Sequence, residues 1–257
     1  MQNEITLDWS KTSSDYARFR PGYPEKFFTI LQALGIGKEG QHILDLGAGT
    51  GALAVPFADQ GAIVTANDLT ENQIIELQSI CQRLQLDITT IVSPAEEMDF
   101  PDASFDCITA SMCWGYMNKD ILIPKIKKWL KKDGVFMISS LNWISGSNEI
   151  AIKTEELLQH YNPDWRKEHK SGQNKDFIDE TLANDFELKT YHKFTYPMPF
   201  TLEAWRGRIR ACRGMGAFFP EEIVAKFDAE LCNRLLFATK EKFTMPHAIT
   251  IKIYGVF

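Results

Sequence analysis

Cysteine is scarce in this chain: five residues, at positions 81, 107, 113, 212 and 232, with no Cys-x-x-Cys among them. An odd set without paired spacing supplies neither a disulfide framework nor zinc ligands, so these read as reduced thiols of a cytoplasmic protein without a metal site. Long apolar runs are also missing. Nothing approaches the roughly 18 consecutive apolar residues of a membrane span, and the start, Met1-Gln2-Asn3-Glu4, lacks the basic residues of a signal peptide. Positive charge is in deficit: 28 Lys and Arg against 34 Asp and Glu leave a net charge of −6. That balance argues against a polyanion binder and for small-molecule chemistry. Repeats and low-complexity tracts are absent too. What remains is ordinary globular composition, 44% hydrophobic and 24% charged over 257 residues, enough for one large domain with sizeable insertions.

Short apolar segments alternate with helical ones through the middle of the chain. Strands are predicted at His42–Leu46, Ile63–Asp68, Ile88–Ser93, Phe105–Ala110 and Val135–Ser140. Helices are predicted at Thr50–Gln60, Glu71–Leu84 and about 120–132, the last ending on four lysines with Gly134 as its left-handed cap. Such alternation implies crossovers and an α/β, doubly wound, mostly parallel sheet with helices on both faces. An N-terminal cap segment (1 to about 40) precedes a core at 41–145. A helical insertion at 146–186 follows, and residues 187–257 supply the last two of seven strands, with a helical lid insertion at about 201–245.

The densest signal is Leu44-Asp45-Leu46-Gly47-Ala48-Gly49-Thr50-Gly51, a buried strand running into a glycine turn that opens a helix. Glycines let the backbone turn sharply and approach a ligand with no side chain in between, while the helix start offers free N–H groups. Strand, glycine loop and helix form the nucleotide cradle of a doubly wound sheet. Gly47-x-Gly49-x-x-Ala52 also satisfies a dinucleotide pattern, and Asp68, 21 residues after Gly47, suits the ribose hydroxyls of either kind of cofactor. The alternative for Asp68 is a helix N-cap. Asp45 tips the balance, because an acid beneath the loop repels a pyrophosphate but suits a ligand that carries an ammonium.

Three further blocks accompany the loop: Tyr16-Ala17-Arg18-Phe19-Arg20-Pro21-Gly22-Tyr23-Pro24, the segment from Ala95 to Asp106, and Lys131–Ser139. With LDLGAGTG and TANDLT they resemble class I S-adenosylmethionine-dependent methyltransferases, in particular small-molecule enzymes of the trans-aconitate methyltransferase kind. The resemblance covers residues 15–140. It implies that Gly47, Ala48, Gly49 and Gly51 line the methionine part of S-adenosylmethionine, with Asp45 beneath. It puts Asp68 on the ribose, Leu69 and Gln73 against the adenine or ribose, and Ala95 and Glu96 at the adenine edge. Ser111 and Trp114 are implied to face the sulfonium, and Tyr16 or Arg20 to bond the cofactor's carboxylate. The chain departs from the family at Pro94, where relatives often carry an acid that Glu96 is left to replace, and at Cys113-Trp114, where many have a His-Trp pair.

The implied reaction is in-line methyl transfer to a small-molecule acceptor. An acceptor carboxylate is already ionised at neutral pH, so no general base is assigned. Arg206, Arg210 and Arg213, at i, i+4 and i+7 of a predicted helix, offer one face for an anionic acceptor; the competing reading pairs them with Glu203, Glu221 or Glu222. Two other functions remain open, an NAD-dependent oxidoreductase and a non-catalytic S-adenosylmethionine-binding protein. Nucleic acid is disfavoured by the acidic charge and by the lack of an Asn/Asp-Pro-Pro-aromatic tetrad. Nothing in the sequence points to an oligomeric state.

Overall fold

The computed structural model describes residues 8–164, 179–236 and 242–257. Seven strands form one sheet: β1 (His42–Leu46), β2 (Ile63–Asp68), β3 (Ile88–Val92), β4 (Phe105–Ser111), β5 (Leu130–Trp143), β6 (Phe186–Phe200) and β7 (Phe243–Val256), in the order β3-β2-β1-β4-β5-β7-β6. Strands β1 to β5 pair in parallel, with Ile43 opposite Val64 on one side and Cys107 on the other. A strand covered on both faces needs apolar residues throughout, and Ile43 to Leu46 are buried without a break. At the other edge Ser140 meets Thr250 (2.7 Å) and Ile144 donates to Pro246 (2.8 Å), so β7 recedes as β5 advances and the two run antiparallel. The sheet is therefore mixed, though mostly parallel.

The described helices are α1 (Ser13–Phe19), α2 (Glu25–Ala33), α3 (Ala54–Asp59), α4 (Glu71–Leu84), α5 (Lys119–Trp129), α6 (Glu149–Tyr161), α7 (Leu202–Arg210) and α8 (Glu221–Leu235). They belong to two compact units. One holds the described residues of Gly22–Leu141, Phe177–Phe194 and Ala248–Phe257; its core includes Leu44, Ile108, Ile126, Trp129 and Phe136. The other takes the described residues of Met1–Pro21, Asn142–Asp176 and Thr195–His247, around Leu157, Trp205, Phe227 and Leu231. The N-terminal segment read as one cap thus divides at Pro21, with α2 burying Phe27 and Leu31, one helical turn apart, in the sheet-bearing unit.

Among the element boundaries that differ from the sequence reading, those of two helices have a plain physical cause. Helix α3 begins at Ala54 rather than Thr50, because Gly47 to Leu53 are spent on the turn, with Gly51 donating to the Ala48 carbonyl at 3.0 Å. Helix α5 stops at Trp129, three residues early. Leu130 is already paired with Phe105, and the next partners are Cys107 and Val135. Strand β4 advances two residues while β5 advances five, so Lys131–Gly134 bulge out. The left-handed residue there is Asp133 (φ 66°) and not Gly134. Gly134 answers to space instead: a Cβ would lie 2.9 Å from the Lys131 carbonyl oxygen and 3.1 Å from that of Phe105. The lysines of this stretch are also less free than a solvated helix end, since Lys127 pairs with Asp185 (2.8 Å) and Lys131 with Asp106 (2.7 Å). Of the predicted helical insertion at 146–186, residues 165–178 lie outside the described ones.

Gly134→Ala is expected to cost about 1–3 kcal/mol through backbone displacement, whereas Asp133→Gly relieves a left-handed non-glycine residue and raises stability. Thermal denaturation of both variants checks the pair, and equal shifts in the same direction would refute the bulge as the reason for Gly134.

Candidate functional site

The strand order turns back on itself at β1: β2 and β3 lie on one side of it, β4 and β5 on the other. Chain crossovers leave opposite faces there, opening a crevice at the carboxyl ends of β1 and β4. The glycine loop occupies the first of those ends and Ser111–Tyr116 the second.

Gly47, Gly49 and Gly51 all adopt left-handed φ values (59°, 57° and 91°), a region that costs other residues about 1–2 kcal/mol. Space is equally restrictive. A Cβ on Gly47 would meet the Cys113 side chain at 2.9 Å, and one on Gly51 would meet Leu77 at 2.5 Å. The loop's backbone is held by its neighbours on β2, with Ala48 donating to the Asn67 carbonyl (2.7 Å) and Gly49 to Asp68 Oδ2 (2.9 Å). Asp68 Oδ1 accepts from Thr70 N–H at 2.9 Å. Thr70 is itself the N-cap position of α4, so Asp68 does not serve as the cap. Burial raises the Asp68 carboxyl above its ordinary value, and the backbone donors of Thr70 and Gly49 oppose that rise.

Asp45 is almost wholly buried and spends its carboxylate inside the fold. Thr109 Oγ1 on β4 donates to it at 2.6 Å, and the Ala54 N–H at the start of α3 donates as well. It therefore orients the loop from below, and direct reach to a ligand ammonium is ruled out by its burial. Desolvation pushes its carboxyl up to about 7, with the charge of Asp68 adding to the effect.

Next to the loop, Leu69 is 67% exposed, an unusual position for a leucine, while Gln73 is 4% exposed with its Oε1 buried and unpaired. Ala95 is buried at the head of a short 3-10 turn. Glu96 turns its Oε1 to the Asn118 N–H (2.7 Å), so that oxygen is not available to stand in for an acid at Pro94. Ser111 Oγ lies 2.9 Å from the Tyr23 hydroxyl, which also donates to Ser139 at 3.1 Å. Trp114 departs from its implied role: it is 5% exposed, donates its indole N–H to Asp179 (2.7 Å) and packs edge-on against Phe136. It is a core residue and offers no wall to a ligand.

The sequence reading missed Asn67 and Met112, and it grouped Tyr23 with Tyr16 and Arg20 in the N-terminal segment without its bonds to Ser111 and Ser139. Asn67 is buried and ties the loop region to β3 by donating to the Ser93 carbonyl at 2.6 Å. Met112, just past β4, is left-handed (φ 63°). Asn67 stands inside a motif that carries the resemblance, yet neither its polarity nor its spacing marks it out.

Tyr16 and Arg20 belong to the second unit, where the Arg20 guanidinium lies 4.6 Å from the Tyr16 ring centre. The expected three-arginine face is overturned. Arg206 is bidentate to Asp228, and Arg210 is bidentate to Asp15 (2.7 and 2.9 Å) with a third bond to Asp228 (2.9 Å). These carboxylates hold the Arg210 guanidinium above its usual range. Helix α7 ends at Arg210, so Arg213 falls beyond it. Glu203, offered as a partner for the face, pairs with Arg18 (3.2 Å) instead. Forks already filled by internal acids are not a recognition face for a substrate.

Residues 43–134 match the family described as a methyltransferase domain. An uncharacterized methyltransferase of Mycobacterium tuberculosis is 26% identical over 133 residues, which cover 52% of this chain and 51% of its own. The chain spans about half the length of the curated relatives it first matches. Among solved structures, a candidate type II methyltransferase from Anaeromyxobacter dehalogenans is 21% identical with a TM-score of 0.65, covering 92% of this chain and 97% of its own. An S-adenosylmethionine-dependent methyltransferase from Geobacter sulfurreducens, crystallised with S-adenosylhomocysteine, is 17% identical with a TM-score of 0.54, covering 98% and 100%. These likenesses show a shared fold. Among the described residues no helix is long and apolar enough to cross a membrane, and no group of His, Cys, Asp or Glu is arranged to hold a metal ion.

The raised Asp45 carboxyl has a stability signature. In the folded protein it titrates at about 7, against 3.8 for an ordinary aspartate, so the folded state keeps a proton that the unfolded chain releases. Stability falls as pH rises from about 4 to about 7, by roughly 1.4 kcal/mol for each step of one in pH, and is level above. Asp45→Asn removes that fall. Its melting temperature relative to the parent is expected to rise steadily from about pH 4.5 to about pH 7 and then to level off. A difference that stays constant with pH would refute the assignment.

Proposed function

We propose that this protein is an S-adenosylmethionine-dependent methyltransferase acting on a small-molecule acceptor. The observation that carries the reading is the joint placement, at the switch point, of a bare glycine backbone and the Asp68 carboxylate hydrogen-bonded to it. The cofactor supplies a methyl group already activated on a sulfonium.

The chain's part is binding and alignment. Asp68 uses one lone pair of each oxygen on backbone N–H groups and keeps others for ribose hydroxyls. Leu69 offers an apolar seat for adenine, and Gln73, buried at the start of α4, lies behind it. The peptide groups of Ala95 and Glu96 border the same edge. Gly47, Ala48, Gly49 and Gly51 present backbone to the methionine portion, and Ser111 closes the β4 side, its hydroxyl positioned by Tyr23. Alignment of this kind is worth up to about 7–11 kcal/mol of barrier, so the reaction requires no dedicated acid or base.

Isothermal titration tests the reading. S-adenosylhomocysteine is expected to bind the parent protein and NAD not to bind. Asp68→Ala is expected to weaken S-adenosylhomocysteine by about tenfold or more, the value of charge-assisted bonds to the ribose. Binding of NAD alone would replace the methyltransferase reading with a dehydrogenase one. Incubation with a labelled methyl donor and a metabolite pool then separates turnover from binding without transfer.

A further inference from the structure

Four arginines of the second unit meet acids of that unit: Arg18 meets Glu203, Arg206 meets Asp228, Arg210 meets Asp15 and Asp228, and Arg234 meets Glu230. Arg208 on α7 does not. It is 4% exposed, its guanidinium carbon lies 5.0 Å from the centre of the Trp143 ring, and no carboxylate among the described residues pairs with it. The acid beside that indole is committed elsewhere. Glu155 accepts from Trp143 Nε1 (3.2 Å) and Ser145 Oγ (2.6 Å).

The groups around Arg208 add positive charge or none. Burial, together with the charge of Arg20, which is stacked on Tyr16, pushes the Arg208 guanidinium down to about 10. Cys212 is a neighbour, but burial raises its thiol, which stays neutral. A second polar group is also left unmet. With Ser140 against Thr250 and Ile144 against Pro246, Trp143 of β5 stands opposite His247 of β7. His247 is wholly buried and donates from Nδ1 to the Met245 carbonyl at 2.8 Å, which leaves Nε2 without a partner. Burial, and the charges of Arg208 and Arg20, push its ring down to about 4. It is therefore neutral at physiological pH, and it neither competes with the guanidinium for an anion nor supplies one.

A buried charge without a partner is destabilising unless something supplies the opposite charge. A guanidinium matches a carboxylate fork to fork, and the indole face beneath it holds the plane of that pair. We propose that Arg208, with Arg20 beside it, forms a recognition site in the second unit for the carboxylate of a small organic acid. Two sources carry that chemistry, the acceptor and the amino-acid end of the cofactor. Assigning the carboxylate to the acceptor rests on the methyltransferase reading, while the site itself does not.

The test titrates cofactor-free protein with succinate, citrate and inorganic phosphate, and separately with S-adenosylhomocysteine, for the parent, Arg208→Met and Arg208→Lys. Carboxylate binding by the parent is expected to fall about tenfold or more in Arg208→Met, in line with a lost charge-assisted pair. Arg208→Lys, which keeps the charge without the fork, is expected to fall between the two. Carboxylate binding lost with S-adenosylhomocysteine affinity intact supports the site and assigns it to the acceptor. Loss of both supports the site and assigns it to the cofactor. If the parent binds no carboxylate, binds phosphate alone, or binds carboxylates equally well in all three proteins, the proposal is overturned. A parent that fails to bind S-adenosylhomocysteine but loses succinate with Arg208→Met would sink the methyltransferase reading and leave the site standing.

Discussion

Strand β1 is hydrogen-bonded on both sides, to β2 and to β4, and every feature of the candidate site depends on that constraint. A strand so enclosed has no free edge, and four of its five residues, Ile43 to Leu46, are buried. Its chain can leave only at the carboxyl end, where the neighbours on either side diverge. A sharp turn is then forced, and Gly47 must be glycine there because the Cys113 side chain fills the space a Cβ would need. The crevice is a consequence of topology, and the bare backbone a consequence of the crevice.

The two acids flanking this turn show how one residue type acquires two roles through surroundings alone. Asp45 points into the sheet, accepts from Thr109 and from the first N–H of α3, and is desolvated to the point of titrating near neutrality. Asp68, one strand over, keeps partial exposure and accepts from two backbone N–H groups, one belonging to the loop itself. The first fixes where the loop begins. The second fixes its middle and keeps lone pairs for something else. An acid on β1 therefore stabilises the cradle's geometry at a cost in electrostatic energy, a pattern common where structure is held in readiness for a ligand.

Much of this is legible in the amino-acid order alone. The limits of β1, β2 and α4 match their predicted residues because local pattern and sheet pairing agree there. Where they disagree, pairing wins. Leu130 has the apolar side chain that α5 wants, but it is captured by Phe105, and the lysine-rich tail is expelled as a bulge. The turn at Gly51 likewise consumes residues with good helix propensity, because a hydrogen bond to Ala48 closes it first. The partners of Asn67, Tyr23 and Asp179 could not be read at all. The work of these residues lies in bonds to Ser93, Ser111 and Trp114, which stand 26, 88 and 65 positions away, and no local spacing encodes such partners.

Helix α7 carries the same lesson to the level of chemistry. Its i, i+4 arginine pair is the conspicuous one, yet spacing that gathers charges on one face also lets one acid serve both, and Asp228 does so. Arg208 stands between them in sequence and so points away from that face. That direction takes it against Trp143, into a region whose nearby acid, Glu155, is already bonded to the indole and to Ser145. Regular spacing marks where a helix builds its internal ion pairs. On α7 the residue that interrupts the spacing is the one left without an anion among the described residues, and an unmatched buried charge is a stronger pointer to a ligand than a repeated, already paired one.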